Sequence, residues 1–189
     1  MNTYSENLRI SLKTGKEKEV FKWFLAAVLF GKPIQEGVAI KTYQLFALKK
    51  ITTPDAILKT GWDGLVEILD LGGYVRYDFS TATKLLELMK QLKEKYGGKI
   101  TNVHKKAKDA KDLENKLQEF KGIGPITTNI FLRELRPVWR KANPEPLPII
   151  LKTAKKNHIK LPKNRKTWQF VRLECELFRA RKWGLQTSK

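Results

Sequence analysis

The sequence predicts an all-α protein, and three observations carry that prediction. Apolar residues recur every three or four positions through most of the chain, glycines and prolines stand where these periodic segments stop, and no segment reads as a clear strand. The 189 residues are enough to bury a core. We therefore expect a single compact unit spanning 1–189, rather than two large independent domains.

In the first half of the chain, the spacing of apolar residues predicts where helices lie, and glycine, proline and capping residues predict where they begin and end. The first runs from Glu17 to Phe30 and ends at Gly31, and a second covers 38–46. Thr53 then provides an N-cap ahead of Pro54, which suits the first helical turn. These signals predict consecutive helices with short connections.

Glycine pairs delimit the next predicted helices. A short helix over 65–69 is ended by Gly72-Gly73, and a longer helix that Ser80 caps is ended by Gly97-Gly98. The first eight residues and the last three are expected to be frayed, as chain ends commonly are.

The second half predicts a tight helix pair followed by two further helices. Apolar residues at 113, 117 and 120 face one way before Gly122-Ile123-Gly124-Pro125, after which another helix opens. Beyond a proline-rich stretch, a helix is predicted from Ile149 to Asn157, and Asn164 is expected to cap the last one.

The charge balance indicates a polyanionic partner. The chain has 38 Lys and Arg residues against 19 Asp and Glu residues, a net charge of +19. Residues 1–100 contribute net +5 and residues 101–189 net +14, so the polyanion surface is expected mainly in the second half. Solubility or a lysine-rich host proteome is the alternative explanation.

Cysteine and histidine usage excludes several classes of site. Cys175 is the single cysteine, so neither an internal disulfide nor an iron-sulfur cluster held by four thiolates is available. His104 and His158 are isolated from other ligand types, so we expect no metal site that uses them.

The apolar run from Val20 to Phe30 is interrupted by Lys22 and is too short to cross a bilayer, which predicts a cytoplasmic protein without a membrane partner.

One motif has the chemistry of a phosphate-binding site. Glycines two apart permit positive φ and close backbone approach, and the helix that follows presents unpaired N–H groups and the positive end of its dipole. An ordinary helix-helix turn is the alternative. The residues predicted to contact DNA here are Lys121, Gly122, Ile123, Gly124, Thr127 and Thr128.

The segment from Phe120 to Phe131 resembles the hairpin motif LPGxGxxTAxxx of the helix-hairpin-helix DNA glycosylase superfamily. That superfamily includes endonuclease III, the adenine glycosylase and the 3-methyladenine glycosylases. Further segments also resemble it: 25–46 its early helix-loop-helix, 71–74 the turn that wedges the duplex, and 149–157 the helix after its catalytic aspartate. The likeness covers about residues 18–160.

This resemblance implies a two-lobed helical fold with duplex DNA across the cleft and a flipped nucleotide between the lobes. The central lobe would span about 34–135, with the hairpin at 120–128. Residues 1–33 and 136–189 would pack together as the second lobe.

The chain departs from the family at two catalytic positions. Ile126 stands where bifunctional members carry the lyase lysine, so no Schiff base can form there and any glycosylase activity would be monofunctional. Pro148 stands where the catalytic aspartate belongs. Two acidic residues near Pro148 in the sequence, Glu134 and Glu145, could replace the aspartate. Glu134 is expected to be a solvated or ion-paired surface group. Glu145 is the candidate catalytic residue, and the alternative is that it is an exposed loop glutamate without a catalytic role.

The remaining site residues follow from the resemblance and from charge. Lys32 occupies the place of the side chain that fills the gap left by the flipped base, and a surface lysine is the alternative. Residues of the wedge turn mix aromatic and basic character, and structural packing of a tyrosine is an equal alternative. The DNA-contacting residues expected outside the hairpin are Lys32, Tyr74, Arg76, Tyr77, Lys152, Lys155 and Lys156. The backbone carbonyls that match a monovalent cation site belong to Gln118, Phe120 and Ile123.

The sequence therefore predicts a DNA-binding protein of base-excision repair that resembles DNA glycosylases and recognises damaged or distorted duplex DNA. Hydrolysis of an N-glycosidic bond is one expectation. A catalytically inactive helix-hairpin-helix protein that binds DNA, or RNA, is the alternative. The recognised base and the oligomeric state do not follow from these residues.

Overall fold

Ten helices and no strand make up the regular structure of residues 2–180, which are the residues that this computed structural model describes. The all-α prediction is confirmed for this part of the chain. The helices are α1 (Tyr4–Asn7), α2 (Glu17–Phe30), α3 (Glu36–Leu48), α4 (Pro54–Gly72), α5 (Asp78–Tyr96), α6 (Ile100–Lys106), α7 (Ala110–Gln118), α8 (Pro125–Arg133), α9 (Pro148–Lys156) and α10 (Trp168–Ala180). The expected fraying of 187–189 lies outside the described residues.

Helix α2 lies at the centre of the core. It packs against α3, α6 and α8, and every residue from Val20 to Leu29 except Lys22 is buried. Phe24 meets Phe131 of α8 edge to face at 5.0 Å between ring centroids. The indole N–H of Trp23 donates to the carbonyl of Phe131 at 3.0 Å, so the one polar atom of this large side chain is satisfied. These contacts fix α8, and with it the glycine turn, against α2.

Glycines shape α4 and α5 largely as predicted. Gly61 has φ +71° inside α4, so the helix bends there, between the two shorter helices that the sequence indicates. Gly97 ends α5 in the left-handed conformation, as predicted. The prediction that Ser80 caps α5 is wrong, because α5 begins at Asp78 and the Ser80 hydroxyl donates to the Tyr77 carbonyl from within its first turn.

The expectation that the first eight residues are frayed is wrong for the described ones. Thr3 and Glu6 form a capping box around α1, and Tyr4 is buried. The Glu134 carboxylate accepts the backbone N–H groups of Tyr4 and Ser5, each at 3.0 Å. Glu134 is fully buried, so the expectation of a surface group is also wrong. It anchors the N-terminal segment onto the end of α8.

A buried ion pair joins the end of α8 to α10. The Arg136 guanidinium donates to the Glu174 carboxylate and to the Pro144 carbonyl, and it lies 5.2 Å from the centroid of the Phe170 ring. Both charged side chains are almost completely buried. Removing one partner of such a pair leaves an uncompensated charge and costs about 3–5 kcal/mol. The pair therefore fixes the loop before α9 as well as α10.

Helices α9 and α10 form a small hydrophobic cluster apart from the main core. Ile150 and Ala154 of α9 pack with Leu177 of α10. The hydroxyl of Thr167 accepts the N–H of Phe170 at the start of α10, so the prediction that Asn164 is the cap is wrong. The predicted boundaries of the two lobes stay a prediction.

Candidate nucleic-acid interface

The glycine turn between α7 and α8 has the geometry of a phosphate-binding helix start. Gly122 has φ +88°, which only glycine adopts without strain. Gly124 is the N-cap of α8 in an extended conformation, and Pro125 occupies the first helical position. Among the hydrogen bonds of residues 2–180, none uses the N–H groups of Ile126 or Thr127. The first turn of α8 therefore presents donors to whatever approaches it.

The space in front of this turn is open. A Cβ built on Gly124 would meet no atom within 4 Å, and Ile126 is half-exposed. The protein itself thus leaves room for a ligand oxygen at the start of α8. The positive end of the helix dipole adds to the attraction for an anion.

Lys121 is less available than the sequence suggests. Its ammonium pairs with Glu87 at 2.9 Å, and its backbone N–H donates to the Gln91 side chain at 3.1 Å. Both partners lie on α5, which supports the turn from behind. An exposed ion pair of this kind is worth little, so a phosphate can compete for the Lys121 ammonium.

Lys84 is a cation of this site that the sequence analysis missed. Its side chain lies against Gly122, since a Cβ built there would be 3.0 Å from Lys84 Cδ. Lys84, Glu87 and Gln91 share one face of α5, at spacings of three and four residues. That spacing is the signal in the sequence, but only the fold shows that this face meets the turn.

The structure places Lys32 beside the same turn. Gly31 packs so closely on α8 that a Cβ there would lie 2.0 Å from the Thr127 hydroxyl. Lys32 follows directly, is partly buried, and lies beside Lys84. Burial and the Lys84 charge lower the pKa of Lys32 to about 8. Two of the predicted DNA-contacting elements, Lys32 and the hairpin, are therefore brought together.

Three hairpin side chains predicted to contact DNA are buried. Ile123, Thr127 and Thr128 are at most 5% exposed. Thr127 fills the space above Gly31, and Ile123 belongs to the core. Contacts made by their side chains are therefore not available in this structure, whereas the backbone of the turn is.

The wedge assigned to the Tyr74–Tyr77 turn needs correction. Tyr74 is 1% exposed, its hydroxyl donates to the Leu29 carbonyl, and burial raises its pKa. Tyr77 is partly buried against the core. The expectation that Tyr74 is presented to DNA is wrong, because the core uses its ring. Val75 and Arg76 are the exposed residues of the turn.

Glu145, the candidate catalytic acid, is held by an arginine on the surface. Its two carboxylate oxygens accept from Arg165 at 2.5 and 2.7 Å, and its side chain is 82% exposed. The hydrogen bonds to Arg165 lower the pKa of the Glu145 carboxyl. Its backbone carbonyl accepts from the Asn129 side chain at 2.7 Å, which ties this loop to α8. The Glu145 carboxylate is thus anionic and paired with Arg165. Because its pKa is lowered, it accepts a proton less readily than an unpaired carboxylate, which makes it a poor general base.

The three predicted α9 contacts lie on its outer face. Lys152, Lys155 and Lys156, which we call the α9 lysines, are exposed, whereas Ile150, Thr153 and Ala154 are buried on the other side. Exposed lysines on one face of a helix can contact the phosphates of a nucleic-acid backbone.

Little in the described structure points to a metal. Residues 2–180 contain no group of three His, Cys, Asp or Glu side chains placed to hold an ion. Cys175 is buried beside Glu134, and burial raises the pKa of its thiol. The Phe120 carbonyl, predicted to help bind a monovalent cation, accepts the Ile123 N–H at 3.0 Å. The cation site formed with Gln118 stays a prediction.

No helix among the described residues is both long enough and apolar enough to cross a membrane.

Comparison with known proteins identifies no relative. No protein family, no curated protein and no solved structure matches this chain. The resemblance to helix-hairpin-helix glycosylases therefore rests on the quoted residues, and membership of that superfamily stays a prediction.

Proposed function

We propose that this protein binds duplex DNA by its phosphate backbone and recognises damaged or distorted sites. One observation carries the proposal: α8 begins at a glycine with open space in front of it and has two first-turn N–H groups that no described group accepts. Backbone donors at a helix start suit phosphate oxygens and read no base.

The charges around the turn support the same partner. Lys32 and Lys84 lie side by side next to it, and neither forms an ion pair among residues 2–180. Adjacent ammonium groups repel each other, so an anion placed near both relieves an unfavourable arrangement. The net +14 of residues 101–189 extends the attraction over a wider surface.

A direct test is fluorescence anisotropy with labelled duplexes at several salt concentrations. We expect affinity for duplex DNA to fall steeply with salt, and duplexes with an abasic site or a mismatch to bind more tightly than intact ones. A flat dependence on salt would contradict backbone binding. Tighter binding to duplex RNA than to DNA would favour the RNA-binding alternative.

Hydrolysis of an N-glycosidic bond is the second candidate function, that of a monofunctional glycosylase in base-excision repair. The observation that favours it is a cavity beside Lys32, with a volume of about 570 Å³, in the range of small-molecule sites. Incubation with a panel of lesion-bearing duplexes followed by alkali would reveal abasic products. A panel without any product would leave recognition as the function. A cytoplasmic location is part of this proposal.

A further inference from the structure

The cavity beside Lys32 is lined by a buried arginine as well as by aromatic rings. It opens between α1, the loop after α2, α3, α8 and α10, and has a volume of about 570 Å³. The lining residues that matter here are Tyr4, Phe30, Lys32, Glu36, Arg133 and Phe178. Arg133 is the last residue of α8 and lies at the opposite end of that helix from the glycine turn.

The Arg133 guanidinium is buried without an acceptor. Arg133 is 2% exposed, and its Nε and Nη1 atoms form no hydrogen bond with any group of residues 2–180. None of the ion pairs in that part of the chain includes Arg133. A guanidinium has five N–H donors and stays charged in proteins, so it cannot avoid the cost of burial by losing a proton. Buried charged donors of this kind indicate that an anion binds there.

The acids that attract Arg133 are engaged by other donors. Glu134, the next residue, accepts two backbone N–H groups of α1 at 3.0 Å each. Glu174 forms the buried ion pair with Arg136. These carboxylates balance part of the buried charge from a distance, but they leave the N–H donors of Arg133 without a partner.

Aromatic rings hold the guanidinium in place. Arg133 Cζ lies 5.3 Å from the centroid of the Tyr4 ring and 5.0 Å from that of the Phe178 ring. An aromatic face attracts the charge but supplies no acceptor oxygen. Tyr4 also meets Phe30 edge to face at 5.4 Å between centroids, so packed rings form the wall of the cavity. A fixed planar cation beside apolar rings is complementary to a flat apolar molecule that carries an anion.

We propose that this cavity binds a small aromatic carboxylic acid, with its carboxylate on Arg133 and its ring against the aromatic wall. A carboxylate matches the planar fork of a guanidinium through two parallel hydrogen bonds. Lys32 adds a second cation to the lining. Glu36 accepts the Tyr4 hydroxyl at 3.3 Å on the α3 side, and its charge directs the anionic end of the ligand toward Arg133.

Calorimetric titration of the full chain with benzoate tests the proposal. Benzoate is a carboxylate on a flat ring, and we expect saturable one-to-one binding with a Kd of about 1 mM or tighter. Benzamide has the same shape without the charge, and acetate has the charge without the ring. Each of these two should bind at least tenfold more weakly than benzoate.

Arg133→Met separates a ligand-binding arginine from a structural one. The variant should bind benzoate at least tenfold more weakly, whereas Lys41→Met, at an exposed lysine of α3, should bind it as the parent does. Because Arg133 gives up no ion pair, Arg133→Met should keep or raise Tm. Arg136→Met strands the buried Glu174 carboxylate and should lower Tm. An equal loss of Tm in the two variants would show that the protein already satisfies Arg133, and would overturn the proposal.

Gly37→Phe is a second test that leaves Arg133 in place. Gly37 lines the cavity from the first turn of α3, and a Cβ built on it meets no atom within 4 Å. The phenylalanine ring should obstruct the cavity and weaken benzoate binding at least tenfold, whereas Gly37→Ala should preserve it. Circular dichroism confirms that each variant keeps the helical fold.

The titrations can also contradict the proposal directly. A parent protein without saturable benzoate binding overturns it, as does unchanged affinity in folded Arg133→Met or Gly37→Phe. Tighter binding of uracil, a neutral ring, than of benzoate would also overturn it and would favour the second candidate function. DNA binding at the glycine turn is measured separately by anisotropy, and none of these results decides it.

Discussion

The sharpest test of the hairpin is Gly124→Val, because the structure separates its effect on the fold from its effect on a ligand. Gly124 has φ −103° and ψ −177°, a conformation open to β-branched residues. A Cβ at this position meets no protein atom within 4 Å. The Cβ of the added side chain therefore lies in the open space in front of α8, where a ligand would approach.

The cost to stability should be small and the cost to binding large. Replacing a glycine N-cap with valine costs about 1 kcal/mol, which for a chain of this size lowers Tm by about 2–4 °C. Two N–H groups at Ile126 and Thr127 would lose their phosphate partner, and hydrogen bonds to charged groups are worth about 1.5–3 kcal/mol each. Because a phosphate can shift rather than leave, we expect a loss of about 10-fold to 100-fold in affinity, or about 1.4–2.7 kcal/mol.

Anisotropy with a labelled duplex measures the affinity, and thermal unfolding followed by circular dichroism measures the fold. Gly122→Val is a useful contrast, because φ +88° and a contact of 3.0 Å with Lys84 Cδ make any side chain there strained. That variant should lose stability as well as binding. Unchanged affinity in a folded Gly124→Val protein would refute the phosphate site and leave an ordinary helix-helix turn.

Three further predictions concern charge. Changing the α9 lysines to Ala should weaken binding to all sequences alike and reduce the slope of log affinity against log salt by about 0.9 for each phosphate that the protein no longer neutralises; an unchanged slope would place the DNA elsewhere. Glu145→Gln should leave DNA binding intact, because the Glu145 carboxylate is exposed and paired with Arg165; a loss of about 10²-fold or more in single-turnover excision would identify Glu145 as the general base, and equal rates would make it a bystander. His104 stacks on Trp139 at 4.6 Å, and burial with nearby cations lowers its pKa to about 4. The folded state therefore binds fewer protons than the unfolded state between pH 6.5 and 4, so stability should fall as pH falls across that window, by about 1–2 kcal/mol for this half-buried ring. His104→Phe should remove this component in urea unfolding at about pH 7 and about pH 4.5, and an identical pH dependence in both proteins would contradict it.

Local signals predicted the helices well. The Thr53 N-cap, the αL glycine at Gly97 and the stop at Gly31 act through the backbone within a few residues, so their effect is readable from neighbouring positions. The glycine turn and the helix it opens were predicted for the same reason. Helix α6 lacks a side-chain cap, and the sequence analysis missed it.

Side-chain roles depended on contacts far apart in sequence. Glu134 is buried because it accepts amides from residues about 130 positions away, and Tyr74 is buried because its hydroxyl reaches Leu29. Lys84 joins the hairpin only through the packing of α5. Nothing within a short window distinguishes these residues from surface groups, which is why their roles were misassigned or missed.

The two ends of the described chain contact each other, which bears on the order in which the cavity is assembled. Arg172 pairs with Glu6 at 2.7 Å, and Arg179 donates to the Asn2 carbonyl at 2.8 Å. Contacts with such sequence separation carry a loop-closure entropy, so we expect them to form after the local contacts of the helices. Tyr4 and Phe178, which line the cavity, come from these late-docking ends. During synthesis the hairpin can therefore form before Phe178 is made, and the cavity beside Lys32 is enclosed only after the C-terminal end has docked.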